Sequence, residues 1–387
     1  MNDGEFIADV RRMMNDHWRA ELGYTVPNPI VYPWLWLWDS CFHSLVWAAL
    51  TDDRALTEMH AVFGAQRSSG FLPHINYGRG SETFLGLWGV SSSSTITQPP
   101  LYGHVLRKLA ERGYDVRPLL PLATTAMRRL FEVRLAPCGL LRIFHPWESG
   151  IDDGVRWERW QGYGWTSSDW HETKLRLVRA LRVSEGEAIG SSEFEVCPAG
   201  FNALAAWNAL ELVALTGDQE LESAASSLIK AIDRLWIPEL LTWGDGLPDG
   251  SLSSAVRTLD ALLVTLVTED GDSAHQALDT ASARDAFNMP FGPAGVDVRE
   301  TSYSPSDYHR GSSWPQLTFL MWLGARRWNR QGVASELAAH LAEGASVSGL
   351  AEYWDPRNGH GLGARPHAWA GLAIVPLAEL AECSLYP

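Results

Sequence analysis

Apolar runs of helical period, broken by short polar stretches, fill nearly the whole chain. Apolar residues recur every three to four positions over 7–18, 55–66, 101–112, 119–135, 201–216, 220–235, 254–268, 314–328, 333–343 and 368–380, and 41–50 is apolar almost throughout. This spacing predicts a helix at each. Pro99-Pro100 precede 101–112 and Gly113 follows it, a start and a stop that helices favour. Gly, Pro, Asp and Ser fill the short connections. Strand-like alternation is sparse, and 140–144 is its best candidate. Helices joined by short turns pack as antiparallel hairpins, so the expected fold is all-α. About a dozen of them suit a closed ring of hairpins, an (α/α)6 barrel, although periodicity alone fits a solenoid or a bundle as well.

No stretch reads as a linker, so 1–387 is expected to form one domain. The run Ser91 to Ser94 reads as a loop tip. Residues 154–170 are irregular and rich in Trp, Gly and Ser. A loop of that length in a compact domain often serves as a lid or binding loop, and 154–195 is expected as a lid or an insertion at the leaving-group site.

Composition narrows the function. The hydrophobic fraction is 46% and mean hydropathy is −0.12, as in an ordinary globular protein rather than a disordered one. A formal net charge of −15 repels nucleic acid and anionic membrane, so neither is expected as a partner. Cys41, Cys138, Cys197 and Cys383 are scattered without a Cys-x-x-Cys pair, which argues against a disulfide framework or structural zinc and fits a cytoplasmic location. Residues 1–22 lack the apolar centre of a secretion signal, and no apolar run reaches the ~18 residues of a membrane span. The 19 tryptophans stand out. Sugars favour indoles, because the axial C–H face of a pyranose stacks on the ring. Core packing accounts for some of the 19, but several lie beside charged residues.

Four clusters carry candidate chemistry. In Tyr32-Pro33-Trp34-Leu35-Trp36-Leu37-Trp38-Asp39 the aromatics alternate, which in an extended segment puts them on one face. A sugar platform with Asp39 on adjacent hydroxyls, and an aromatic core strip with Asp39 as helix cap, read equally well. His145-Pro146-Trp147-Glu148-Ser149-Gly150-Ile151-Asp152-Asp153 crowds three carboxylates together, so at least one should hold its proton unusually well, as a general acid must. Ala351-Glu352-Tyr353-Trp354-Asp355-Pro356 sets a glutamate among aromatics before a Gly-rich turn. Tyr308-His309-Arg310-Gly311-Ser312-Ser313-Trp314 joins an arginine to aromatics at a helix entrance. His74 and Gln98 add polar groups.

Taken in order, Trp-x-Trp-Asp-x-x-Phe, Leu-Pro-His, His-Pro-Trp-Glu-Ser-Gly-x-Asp, Tyr-x-Arg-Gly-x-x-Trp and a late Glu-Tyr-x-Asp resemble glycoside hydrolase family 63. Within it they resemble the bacterial mannosylglycerate and glucosylglycerate hydrolases, with trehalases more distant. The resemblance spans 32–369. It implies an (α/α)6 barrel, an inverting mechanism, Asp152 as general acid and Glu352 as general base. It also implies a sugar pocket lined by Tyr32, Trp36, Trp38, Asp39, Gln98, Trp147, Gly150, Arg310 and Trp314, with His74, Tyr308 and Trp369 as further contacts. An inverting pair stands roughly 6.5–9.5 Å apart to admit a water, and Trp147 is expected to help desolvate Asp152. The chain departs from the pattern at Asp153, where Asn is usual, and at His309, where Trp is usual. The stretch 157–195 matches nothing in it.

The function expected is therefore an inverting α-glycosidase, an α-glucosidase or α-mannosidase. Its substrate is a small soluble glycoside such as glucosylglycerate or mannosylglycerate. No cofactor or metal is expected, and the protein is a monomer or homo-oligomer. Two alternatives are a sugar epimerase or lyase on the same barrel, using His74, His309 or His367 as proton carriers, and a non-catalytic sugar-binding protein.

Overall fold

A computed structural model describes residues 3–161 and 166–385. It is largely helical. The helices are α1 Asp3–His17, α2 Leu37–Ala49, α3 Arg54–Gly64, α4 Leu85–Trp88, α5 Tyr102–Glu111, α6 Leu120–Arg134 and α7 Ser167–Arg179. They continue with α8 Ala199–Thr216, α9 Gln219–Asp233, α10 Gly271–Ala281, α11 Pro315–Arg327, α12 Gln331–Val347 and α13 Ile374–Leu385. Among the described residues four tightly wound 3-10 segments add to them: Pro146–Ser149, Val155–Trp160, Leu259–Leu266 and Ala368–Ala373.

Six segments touch in a closed cycle. α2 packs on α5, α5 on α8, α8 on Leu259–Leu266, that segment on α11, α11 on Ala368–Ala373, and Ala368–Ala373 back on α2. Each has a partner on the outside: α3, α6, α9, α10 and α12 cover the first five in that order, and α1 and α13 cover the last. The side chains explain the two layers. In α2 every residue but Ala49 is buried, and Leu259–Leu266 and Ala368–Ala373 are buried throughout. A helix apolar on all sides has to be surrounded. α3, α9 and α10 instead bury one stripe and expose the other. Close approach inside the cycle needs residues without side chains. A methyl group on Gly103 of α5 would collide with the carbonyl of Asn208 on α8, and one on Gly200 of α8 would come within 2.5 Å of the carbonyl of Asp260.

All-α is approximate, because among the described residues seven two-stranded antiparallel ladders decorate the helices. Most are pairs of two residues at loop bases, such as Leu35–Trp36 with Ile75–Asn76. The largest, Leu181–Ser184 with Glu187–Ser191, is a hairpin that follows α7. The expected strand at 140–144 is not one: Leu141 and Ile143 make isolated bridges to Leu135 and Val196. The expected helix at 254–268 is also corrected. Ser254 pairs with Asp245, and only Leu259–Leu266 is helical. Helix α10 falls on no predicted helix, and α7 begins in the stretch read as a loop.

Candidate active site

The N-terminal ends of four of the six inner segments open onto a cavity of about 110 Å³. One water needs roughly 10–15 Å³ of such space, so several waters or one small polar ring fit. Trp36, Trp38 and Asp39 reach it from the start of α2, Gln98 from the approach to α5, Tyr308 and His309 from the approach to α11, and His367 and Trp369 from the start of Ala368–Ala373. Tyr32, Pro27, Gly150, Asp152 and Glu352 complete the wall.

The start of α2 is held by its surroundings. Leu37 N–H donates to the His74 carbonyl at 3.0 Å, and Trp38 N–H to Gln98 Oε1 at 3.3 Å. These bonds satisfy two of the donors that a helix start leaves open. Asp39 is therefore not the helix cap. It lies buried in the first turn. Burial first, then the nearby Glu352, hold its carboxyl well above the usual range. His367 Nε2 stands 4.0 Å from Asp39 Oδ1, and the His367 ring packs on Trp369 at 4.2 Å.

Glu352 and Asp152 face this cavity in unlike surroundings. Glu352 is buried and receives three donors: the hydroxyls of Tyr32 and Tyr308 on Oε1, both at 3.1 Å, and Ala364 N–H on Oε2 at 2.8 Å. Burial holds its pKa above the ordinary range, and those three bonds oppose the rise without cancelling it. Donors aimed at a carboxyl favour its ionised form. Gly363 makes room, since a side chain there would strike Glu352 Oε2. Asp152 is half-buried at the cavity wall. Burial, opposed by Lys174 and assisted by Asp153 and Glu352, raises its pKa to about 7. Left at its ordinary value, roughly one Asp in a thousand would be protonated at neutral pH.

The three carboxylates of the loop are thereby sorted. Glu148 is fully buried against Arg134, 2.7 Å away, and accepts from Thr97 N–H at 3.1 Å. Asp153 is paired with Lys174. Asp152 alone of the three faces the cavity.

The described residues of 154–195 pack against this loop. Trp157 donates its indole N–H to the Ile151 carbonyl at 2.7 Å, and Trp170 donates to the Asp152 carbonyl at 2.9 Å. Both rings, with Leu177 and Phe194, belong to the main core. Arg156 anchors the segment to the inner cycle through buried pairs with Asp245, at 3.2 Å, and Asp260. Residues 162–165, within the segment read as a lid, lie outside the described residues.

Four of the expected pocket residues are not part of the cavity wall. His74 bonds Ser94 at 2.6 Å and stacks on Trp147, and both rings pack behind Trp36 with Trp88. Trp147 is thus set back from the wall that Asp152 lines. Trp314 is fully buried between Tyr353, with ring centres 4.6 Å apart, and His309, at 3.8 Å. Arg310 is paired with Glu158. Trp34 leaves the platform too, packing against Tyr77 and Phe84. The alternation breaks because only Leu35–Trp36 is extended before α2 begins. Conversely Pro27, His309 and His367 line the cavity without having been singled out as pocket residues. In the sequence both histidines stood as proton carriers for a different chemistry, and His309 also as a departure from the family pattern in the fourth cluster.

Among the described residues no group of three or more His, Cys, Asp or Glu is placed to hold a metal ion, and no helix is long and apolar enough to cross a membrane.

Residues 32–370 match the family model described as the mannosylglycerate hydrolase MGH1-like glycoside hydrolase domain. The chain is 27% identical to the mannosylglycerate hydrolase of Thermus thermophilus, over 91% of this chain and 96% of that one. It is 24% identical to the glucosylglycerate hydrolase of Mycolicibacterium hassiacum, over 91% and 93%. The crystal structure of the GH63 mannosylglycerate hydrolase from Thermus thermophilus in complex with Tris and D-glycerate superposes with a TM-score of 0.87. That superposition has 26% identity and covers 96% of this chain and 100% of that one.

Proposed function

The chain belongs to the MGH1-like glycoside hydrolases of family GH63, and from that premise we propose that it is an inverting α-glycosidase on an (α/α)6 barrel, with Asp152 as general acid and Glu352 as general base. The observation that carries the reading is the contrast between the two carboxyls at one cavity. Asp152 has a pKa near 7 and is suited to give a proton; Glu352 is held by three donors and is suited to take one. The closed cycle of six inner segments, each with an outer partner, supports the barrel.

In the proposed reaction Asp152 passes its proton to the glycosidic oxygen as the C1–O bond breaks. Glu352 removes a proton from a water whose oxygen bonds to C1 from the opposite face. The products are the free sugar with inverted anomeric configuration and the leaving alcohol, and the two carboxyls exchange their proton with solvent before the next turn. Asp39, His367 and the Gln98 amide offer partners for sugar hydroxyls, while Trp36, Trp38 and Trp369 present ring surface to the sugar's C–H face. Arg310 and Trp314 act one layer out, Trp314 as the base on which His309 rests.

The substrate proposed is a small soluble α-glucoside or α-mannoside with a short polar leaving group. The names of the two hydrolases above, and the D-glycerate bound in the solved relative, support glycerate as that group. The segment 154–195 then serves as the packed support of the acid loop at the leaving-group side. The purified protein should be assayed on glucosylglycerate, mannosylglycerate, trehalose, kojibiose and aryl α-glucosides, with proton NMR of the first-formed anomer. Release of the β-anomer from an α-glycoside is expected. An α-anomer as first product overturns inversion, and an isomerised or unsaturated sugar overturns hydrolysis.

A further inference from the structure

Lys174 on α7 brings a buried ammonium to the loop that carries the acid. A cation taken out of water needs a counter-charge, and this loop offers two neighbouring carboxylates, Asp152 and Asp153. The choice matters for the reaction proposed above. Paired with Lys174, Asp152 would be stabilised as the carboxylate and would have no proton to give. The structure places the ammonium on Asp153 Oδ1, with both side chains buried, and Asp152 is left on the cavity wall.

The geometry of this pair is fixed from several sides. The Lys174 carbonyl meets His145 Nε2 at 3.0 Å, which ties the base of the lysine to the start of the acid loop. Its ammonium lies 5.9 Å from the centre of the Trp147 ring. The Trp170 indole, one helical turn before Lys174, holds the Asp152 carbonyl. The helix that delivers the cation therefore also fixes the backbone between the two aspartates.

We infer that Asp153 is a positioning residue for the glycosidase reaction: by engaging Lys174 it keeps that cation off Asp152, so that Asp152 retains the proton it must donate. The inference rests on the function proposed above. The other charged and titratable groups on the cavity wall with Asp152 are Glu352, Asp39, Tyr32, Tyr308, His309 and His367; burial holds both imidazoles well below their ordinary pKa, so none of the six is a cation. Asp153 faces Tyr308 and Tyr353 besides Lys174, while His309 and Arg156 lie on the lysine's side. Lys174 is thus the positive charge that acts on the acid, and it pulls Asp152 down while Asp153 pushes it up.

The test compares D153N, K174Q and the double variant by the pH dependence of kcat/KM on two substrates. One is an alkyl glycoside whose departing alkoxide needs a proton; the other is the matching glycosyl fluoride, whose fluoride leaves without one. D153N frees the cation. Its alkaline limb on the alkyl glycoside should fall by about one pH unit, a tenfold loss on the alkaline side, since one unit is a factor of ten. Its rate on the fluoride should stay close to wild type. K174Q should move the limb upward, and the double variant should return it to near the wild-type position. An unmoved limb in D153N, equal losses on both substrates, or a double variant displaced further than D153N would each overturn the inference, the last two by showing a merely structural role. Asp152 can also be followed without turnover, through its carboxyl resonance in carboxyl-13C-aspartate-labelled protein, assigned with D152N. The same downward, upward and restored shifts are expected there. If no glycoside is hydrolysed but these shifts appear, the glycosidase reading fails while the electrostatic arrangement stands.

Discussion

Tyr308 donates its phenolic hydrogen to Glu352 Oε1 at 3.1 Å, the oxygen that also receives Tyr32. The bond joins the loop before α11 to the loop after α12 and favours the ionised carboxylate that a base needs. Tyr308→Phe removes one donor and keeps the edge-on ring contacts with His309, Trp314 and Tyr353. A hydrogen bond to a charged group is worth about 1.5–3 kcal/mol, so kcat/KM should fall about 10- to 100-fold. The sign on the pH profile follows: losing a bond that lowers the pKa of Glu352 raises that pKa, so the acidic limb moves to higher pH. A profile of kcat/KM from pH 4 to 9 checks both effects, and an acidic limb at its wild-type position would remove Tyr308 from this account.

The alkaline limb of the wild-type enzyme belongs to Asp152. The proposed acid works protonated and its pKa stands at about 7, so kcat/KM should begin to fall near pH 7 and drop about tenfold per unit beyond it. Asp152→Asn should lose about 10²–10⁴-fold on an alkyl glycoside, the usual worth of general acid catalysis. It should lose far less on the glycosyl fluoride. Glu352→Gln should lose activity on both, since the water must still be deprotonated. If the two variants respond alike to the leaving group, the acid and base assignment is wrong.

Most of the outer and inner helices, though not α10, were legible because their periods are regular: apolar residues at 201–216 and 314–328 repeat without interruption, and both form helices, α8 and α11. Residues 254–268 carry the same apolar density but are held partly as a strand by Asp245 and partly as a tight 3-10 turn, and nothing in the local pattern announces that partner. The motif residues at the starts of inner segments also come together, because a ring of helices gathers its N-terminal loops at one end. What sequence could not separate is the wall from the layer behind it. His74 and Trp36 sit near each other, yet a strand pair turns Trp36 to the cavity and leaves His74 on Ser94. His367 was equally hidden, since its value comes from a distant Asp39.

Arg156 is the strongest bolt between the acid-loop support and the inner cycle. It pairs with Asp245 and Asp260, and its Nη2 donates to Thr258 Oγ1 at 2.5 Å, all in buried surroundings. Removing one member of such a group leaves buried charge without compensation. Arg156→Met should therefore lower stability by about 3–5 kcal/mol, seen as a clear fall in the thermal midpoint. Asp245, held above the ordinary carboxylate range by burial, would lose the Arg156 charge that opposes that rise, so the variant should be relatively less impaired at low pH. A midpoint equal to wild type would show that the segment is held by its tryptophans alone.

Gly150 joins the acid loop to the aromatic wall and offers a test of how tightly the two are fitted. Its φ of +71° is a conformation that L side chains rarely adopt, and a Cβ there would lie 2.7 Å from Cζ2 and Cζ3 of Trp38 and nearer still to Cη2. Backbone strain of this kind costs about 1–3 kcal/mol, and relieving the collision requires either the indole or the loop to move. Trp38 is buried against Phe42 and Trp369, so it has little room to retreat. The loop is the softer side, and Asp152 lies two residues further along it. Gly150→Ala should consequently lower kcat on the alkyl glycoside by more than its modest loss of thermal stability suggests, while the glycosyl fluoride, which does not need the displaced acid, is spared. Equal losses on both substrates would mean that Trp38 moves instead and that the pocket, rather than the acid, is what Gly150 protects.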